Sequence, residues 1–278
     1  MRATLVTPKT LAEVPGEDGQ VLLAGGTEVV PQLRAGLLDT ATLVDVSGLV
    51  PRGIDGTRIG AGTTLAELEA SDAVPAALRE ACRLAASPQL RAMGTVGGNL
   101  LQSTRCWYWR LGYDCRLRGG ERCNAREGEH REHAIFGNEF CASGHPSDVA
   151  AGLVALGARV RTTRRELALT ELYRLPDAAD PRLLTLEPNE VLLELEVPPV
   201  DASTYLKAMD SKRFGFPLVG VAAVRQGETT TVALSGVAPI PWVLEGSLDD
   251  ATPLPGTVWK VTTARALVAR ALASIDRR

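Results

Sequence analysis

The sequence predicts an α+β chain, and three observations lead there. A short apolar strand passes through a Gly-Gly turn into a helix-like pattern and back to a strand within residues 21–46, the order of an α/β unit. Beyond residue 190 strands recur at hairpin-like spacing, which reads as a mostly antiparallel domain closed by a terminal helix. With 278 residues, 45% of them hydrophobic, the chain is long enough for one or two domains with a real core.

The elements follow in order. Val21–Leu23 is the first strand, Glu28–Leu33 begins a helix that ends near Gly36, and Ala41–Val46 and Arg58–Gly62 are further strands. Thr63 and Thr64 are both candidate caps for Leu65–Ala70. Pro75–Ala86 reads as a helix with Leu78, Cys82, Leu84 and Ala85 on or near one face, and the Ser87–Pro88 step ends it. Ser147 caps a helix carrying Val149, Leu153 and Leu156, Gly157 closes it, and Ala158–Thr162 is a strand. Val191–Val197, Thr204–Met209, Leu218–Arg225 and Thr230–Gly236 are the later strands, and Ala264–Ile275 is the last helix. Pro, Asp and Ala cluster at Pro176–Pro181, which sets a boundary between domains 1–176 and 177–278.

The net charge of −3 has both signs interspersed, and the basic stretch Arg105–Arg131 is offset by Glu121, Glu127, Glu129 and Glu132. Neither nucleic acid nor an anionic membrane is an expected partner. No apolar run approaches the roughly 20 residues of a membrane span, and the N-terminus lacks the layout of a secretory signal. A soluble, cytoplasmic chain is expected, exported only if a partner carries the signal.

Two glycine-rich loops carry the first chemistry: LLAGGTE (22–28) and MGTVGGN (93–99). A Gly-Gly pair between strand and helix lets backbone N–H groups approach a phosphate without obstruction, so a diphosphate is the natural ligand. The spacing differs from GxGxxG, and no P-loop lysine follows. A plain turn remains an alternative for the first loop, and a strained bend beside the insert for the second.

Four cysteines then fall in one insert, Cys106, Cys115, Cys123 and Cys141, spaced C-x8-C-x7-C-x17-C among flexible glycines. A segment with so few aliphatic residues cannot build an apolar core, so a metal or disulfides must organise it. An iron–sulfur cluster, a structural zinc and two disulfides all remain open, although the paired knuckles of zinc sites are missing. Cys82, on an apolar helix face, reads as packing. His130, His133 and His145 lie in or beside the insert; a mixed metal site is one reading of them, but with four cysteines at hand they read first as hydrogen-bond donors or solvent-facing groups.

The stretches AGGTEVVPQLR (24–34), MGTVGGNLLQSTRCWYWR (93–110), the HPSD-containing run to residue 160, and YLKAMDSKRFGFPLVGVAAV (205–224) resemble the FAD-binding subunit of molybdenum hydroxylases. The similarity is to the xanthine dehydrogenase/aldehyde oxidoreductase branch with an extra 4Fe-4S cluster. The resemblance implies a FAD-binding domain of the vanillyl-alcohol-oxidase/CO-dehydrogenase flavoprotein type, with two α/β subdomains and a cluster insert at about 103–145, followed by a smaller C-terminal α+β domain. It further implies that Leu23, Ala24, Gly25, Gly26, Thr27, Glu28 and Val29 wrap the FAD diphosphate, with Thr95, Gly98 and Asn99 on its other side. Asp148 would approach the adenosine, Leu192 would line the adenine side, Lys207 would stand near the flavin, and Phe216 would lie close to the isoalloxazine. Cys106, Cys115, Cys123 and Cys141 would hold the 4Fe-4S cluster.

By the same resemblance the chain is an electron-transfer subunit of a molybdenum-dependent aldehyde or xanthine-type dehydrogenase. Its partners would be a large molybdenum-cofactor subunit and a small 2Fe-2S subunit, and an external acceptor would receive the electrons. A 4-hydroxybenzoyl-CoA reductase-like flavin subunit, a self-contained flavoprotein oxidase and a redox-inactive zinc adaptor are the alternatives. The link between Pro241–Trp242 and the final helix is shorter than is usual in such relatives, which bears on the packing of the C-terminal domain.

Overall fold

Residues 3–15, 19–38, 40, 42–211 and 213–277 are described by the computed structural model of the chain, and they form three sheets. The first is parallel. β1 (Thr4–Val6) and β2 (Gln20–Leu23) flank β3 (Thr42–Asp45), and α1 (Val29–Arg34) makes the crossover from β2 to β3. This is the expected strand–loop–helix–strand unit, although the proposed start at Ala41 lies outside the described residues. The sequence pattern missed β1, whose Thr4 and Leu5 are both exposed, so no alternating apolar face announces it.

The second sheet gathers distant segments. β4 (Ile54–Asp55) and β5 (Arg58–Gly60) form a hairpin, followed by α2 (Leu65–Ala70), α3 (Ala76–Leu84), α4 (Pro88–Met93) and α5 (Val96–Leu100). α6 (Trp107–Arg110) and α7 (Asn124–Glu127) lie in the insert, and α8 (Asp148–Ala155) leads to β6 (Arg159–Thr162) and β7 (Glu166–Ala168). β8 (Leu192–Glu196) then inserts between β5 and β6, giving the order β4-β5-β8-β6-β7. This sheet draws strands from both sides of the boundary placed at 176/177.

Local chemistry explains the helix starts. Thr64 caps α2 through a capping box with Glu67, and Ser147 caps α8 by accepting the Ala150 N–H. The Ser87–Pro88 step does end the preceding helix, but the residues from Pro88 form a further helix, α4, that the sequence pattern did not indicate, with proline in the first turn where its missing N–H costs nothing. Its Leu90 and Met93 are largely exposed, so it lacks the apolar stripe that would betray it.

The third sheet is antiparallel, with β9 (Ala202–Ala208), β10 (Val219–Gln226), β11 (Thr229–Ser235) and β12 (Trp242–Val243) in the order β12-β11-β10-β9. It separates two cores. Val219, Val221 and Ala223 pack with Ala264, Leu267, Ala271 and Ile275 of α9 (Val258–Asp276). The alternate residues Ala222 and Val224 join Leu78, Cys82 and Leu153 of α3 and α8 on the other face. Burial on both faces is why β10 reads as a nearly continuous apolar run. The final helix starts at Val258, ahead of the expected Ala264, because Lys260 in its first turn is fully buried: its ammonium donates to the carbonyls of Glu132, His133 and Gly236. The short link before it packs on the insert, where the Thr252 N–H reaches the Ile135 carbonyl and Leu254 joins Ala125 and Ala142. No helix among the described residues is long and apolar enough to cross a membrane.

Candidate functional site

β2 delivers the chain to the first glycine loop. Gly26 has a φ of +72°, a conformation that a Cβ disfavours. A Cβ on Gly25 would collide with the carbonyl of Met93, so the two glycine segments touch and glycine is required by the close approach. From Gly25 to Glu28 the backbone N–H groups donate to no other group among the described residues. A run of unpaired N–H groups on a turn is an anion-binding concavity.

The second glycine segment works differently. It is the first turn of α5, capped by Thr95, whose Oγ1 accepts the Gly98 N–H at 3.1 Å. Val96 and Gly97 donate to the carbonyls of Thr63 and Ala61, and Asn99 to that of Thr95. Its N–H groups are thus already paired, and what it contributes is room: a Cβ on Gly98 would meet only Thr95 Oγ1. Asn99 Oδ1 accepts the Ser147 hydroxyl at 2.5 Å, which ties α5 to the start of α8.

Two hollows meet at these loops. The first, about 250 Å³, is lined by Ala24 to Val29 together with Val46, Ala61, Val191 and Leu192. The second, about 370 Å³, is lined by Ala85, Asn99, Arg105, Asp148 and Phe216. Thr27, Glu28, Thr95 and Gly98 belong to both. An elongated ligand with a polar middle and two flat ends fits this layout. Leu23 lines neither hollow; its carbonyl accepts the Val46 N–H at 2.9 Å, which fixes where the loop begins. Asp148 and Leu192, both expected at the adenosine end, line different hollows.

Lys207 departs further from expectation. Its ammonium is sealed from solvent, 2.8 Å from Asp148 Oδ2 and 2.9 Å from the Leu84 carbonyl, and it lines neither hollow. The cation is taken up by Asp148, so the pair presents no net charge to a ligand. Tyr205 donates to Asp148 Oδ1 at 2.6 Å and shares a hydrogen bond with Ser235. Burial and the neighbouring carboxylate push the tyrosine hydroxyl well above its ordinary range, so it keeps its proton as donor. Burial raises the Asp148 carboxyl, and the Lys207 and Tyr205 contacts oppose that rise.

Several site residues carried no sequence signal. Glu28 accepts from Arg105 at 2.5 Å, from Arg110 at 2.6 Å and from the Ser103 N–H at 3.3 Å, so two arginines of the insert neutralise the one carboxylate in the anion-binding loop. Arg105 also stands 4.6 Å above the half-exposed ring of Phe216. Ala86 and Phe214 line the second hollow with positive φ of 48° and 62°. Such strain in non-glycine residues concentrates at functional sites.

The insert presents its four cysteines as free thiols. Cys115 and Cys123 face each other across an isolated antiparallel bridge. Cys106 Sγ lies 3.2 Å from His133 Nε2, and Cys141 Sγ 3.2 Å from Ser143 Oγ. Burial pushes the Cys141 thiol up to about 12 and raises Cys106 and Cys115, and the charges of the other cysteines add to each rise. Among the described residues no three His, Cys, Asp or Glu side chains converge on a position for a single metal ion. Cys82 is fully buried within the core around α3 and α8, the packing role read from its sequence.

Comparison with known proteins bears on this geometry. Residues 5–200 match the family described as the FAD binding domain in molybdopterin dehydrogenase. The aldehyde oxidoreductase FAD-binding subunit PaoB of Escherichia coli is 35% identical over 251 residues, covering 82% of this chain and 78% of that protein. The carbon monoxide dehydrogenase medium chain of Afipia carboxidovorans is 40% identical over 106 residues, 33% of this chain and 36% of that one. Among solved structures, reconstituted CO dehydrogenase from Oligotropha carboxidovorans superposes with a TM-score of 0.71 at 23% identity, over 100% of this chain and 99% of that one. Quinoline 2-oxidoreductase from Pseudomonas putida 86 superposes with a TM-score of 0.70 at 16% identity, over 100% and 98%. The superpositions establish a shared fold; the family match and the PaoB relationship establish descent, and the chain belongs to the FAD-binding domains of molybdopterin dehydrogenases, a FAD-binding oxidoreductase subunit.

Proposed function

We propose that the chain is the FAD-carrying electron-transfer subunit of a molybdenum-dependent aldehyde or xanthine-type dehydrogenase. It would sit between a large molybdenum subunit with a small 2Fe-2S subunit and an external acceptor. The observation that carries this reading is the meeting of two hollows at Thr27, Glu28, Thr95 and Gly98. Bound FAD supplies the one- and two-electron chemistry that no side chain offers.

The chain's own residues bind and orient. The unpaired N–H groups of Gly25 to Glu28 and the Thr27 hydroxyl would hold the diphosphate, with Thr95, Gly98 and Asn99 shaping the opposite wall. Arg105 and Arg110 hold Glu28 back by neutralising its carboxylate. Leu192, with Ala24 and Val29, would cover the adenine end. Phe216 and Asp148 would border the isoalloxazine end, and Lys207 would act there through Asp148.

The donor set of the insert fits a 4Fe-4S cluster on Cys106, Cys115, Cys123 and Cys141. Four free thiols stand in the insert, and burial raises those of Cys106, Cys115 and Cys141, so they form an unfavourable set of thiolates until cationic iron neutralises them. The test is the visible spectrum and metal content of the purified chain. Flavin bands on a broad iron–sulfur absorption support the reading; a colourless, zinc-containing protein overturns it, and flavin without iron removes the cluster alone.

A further inference from the structure

A third hollow, of about 330 Å³, stands apart from the two that meet at the glycine loops. Segment 101–103 and Pro146 form the partition: Leu101 and Ser103 also line the first hollow, and Gln102 and Pro146 the second. Trp109 and Leu117 of the insert and Leu183 and Leu184 also line the hollow. The lining is mainly leucine, proline and aromatic, and the one guanidinium there, Arg182, is held by Asp180.

Within this mainly apolar lining two buried side-chain donors have no protein acceptor among the described residues. His145 is 4% exposed and lines the hollow. Its Nδ1 accepts the Ser147 N–H at 3.4 Å, and burial pushes the imidazole down to about 3, so the ring is neutral and carries its proton on Nε2. Among the described residues Nε2 has no hydrogen-bond partner. Thr104, 3% exposed and also in the lining, accepts the Cys106 N–H at 3.2 Å, and its hydroxyl proton has no acceptor among the described residues. Apolar walls disfavour a charged ligand, and a donor that opens onto the hollow without a protein partner is matched by an acceptor oxygen. The complement is a neutral, flat molecule bearing carbonyl groups.

We propose that this hollow binds a neutral quinone, with the His145 Nε2–H donated to one quinone carbonyl. Binding itself depends on neither the flavin nor the iron cluster. The choice of a quinone among flat carbonyl compounds rests on the electron-transfer reading above, since the hollow shares walls with both others.

The test is calorimetric titration of the purified, FAD-replete chain with duroquinone, whose four methyl groups leave no ring carbon open to cysteine attack. One saturable site is expected. His145→Phe, which keeps the ring and removes the donor, should weaken it about tenfold, equivalent to about 1.4 kcal/mol. Leu184→Trp, which fills the hollow, should abolish binding, and both variants should retain FAD. No saturable binding to the parent, or affinity unchanged in both variants, overturns the proposal. So does binding seen only in FAD-free protein, because the quinone would then occupy a flavin hollow. A parent that binds duroquinone but never FAD defeats the flavin reading and leaves this site standing.

Discussion

Lys207 and Asp148 form a buried ion pair, Nζ to Oδ2 at 2.8 Å, with side chains 1% and 3% exposed. It joins β9 to the first turn of α8 at the wall of the second hollow. Removing one partner of such a pair leaves a buried charge unmatched, which typically costs roughly 3–5 kcal/mol. Lys207→Met should therefore lower the urea midpoint sharply, whereas the double variant Asp148→Leu/Lys207→Met should recover much of the loss. A single variant as stable as the parent would show that the pair is not closed in solution.

Gly98 and Gly25 separate ligand space from packing. Gly98→Val projects into the space shared by both hollows and should abolish FAD retention while the chain stays folded by circular dichroism. Gly25→Ala drives a Cβ into the Met93 carbonyl, so it should cost stability as well as flavin. Normal flavin content in folded Gly98→Val protein would remove the diphosphate from this position.

Iron should depend on the insert cysteines and on little else. Serine at Cys106, Cys115, Cys123 or Cys141 should each lower the content from about four irons and four sulfides per chain. Cys82→Ala should keep the iron and lose only packing energy, on the order of 1 kcal/mol. Metal analysis with low-temperature paramagnetic resonance of the reduced proteins reads both results, and retention of full iron by a Cys141→Ser protein would displace that ligand.

The pH dependence of stability should carry the mark of His145. Its folded imidazole lies near 3 and its unfolded one near 6.5, so between those values the unfolded chain binds a proton that the folded chain does not. Stability from this group is complete above about pH 6.5 and is lost as pH falls toward 3, at up to roughly 1.4 kcal/mol per pH unit. Denaturant titrations at pH 7 and pH 4.5 should show a smaller acid loss in His145→Phe than in the parent. Equal losses would mean that the imidazole is not buried as a neutral ring.

Much of this protein was legible in the residues alone. The β2–loop–α1–β3 unit, the Thr64 and Ser147 caps and the strands β9 to β11 each rest on short-range rules, where alternation, cap chemistry and glycine act within a few residues. The glycine loops were found by the same logic, and the family by motifs that lie along most of the chain. Tertiary structure decided what depends on residues far apart in sequence. The place of β8 between β5 and β6 is set in part by pairing with β5 across more than a hundred residues, which no local pattern records. That α5's N–H groups are already satisfied, that Lys207 reaches Asp148 and not a ligand, and that Arg105 and Arg110 converge on Glu28 all depend on which partner folding brings within about 3 Å. Periodicity records which face of an element is apolar; it holds no information about which charge will meet which.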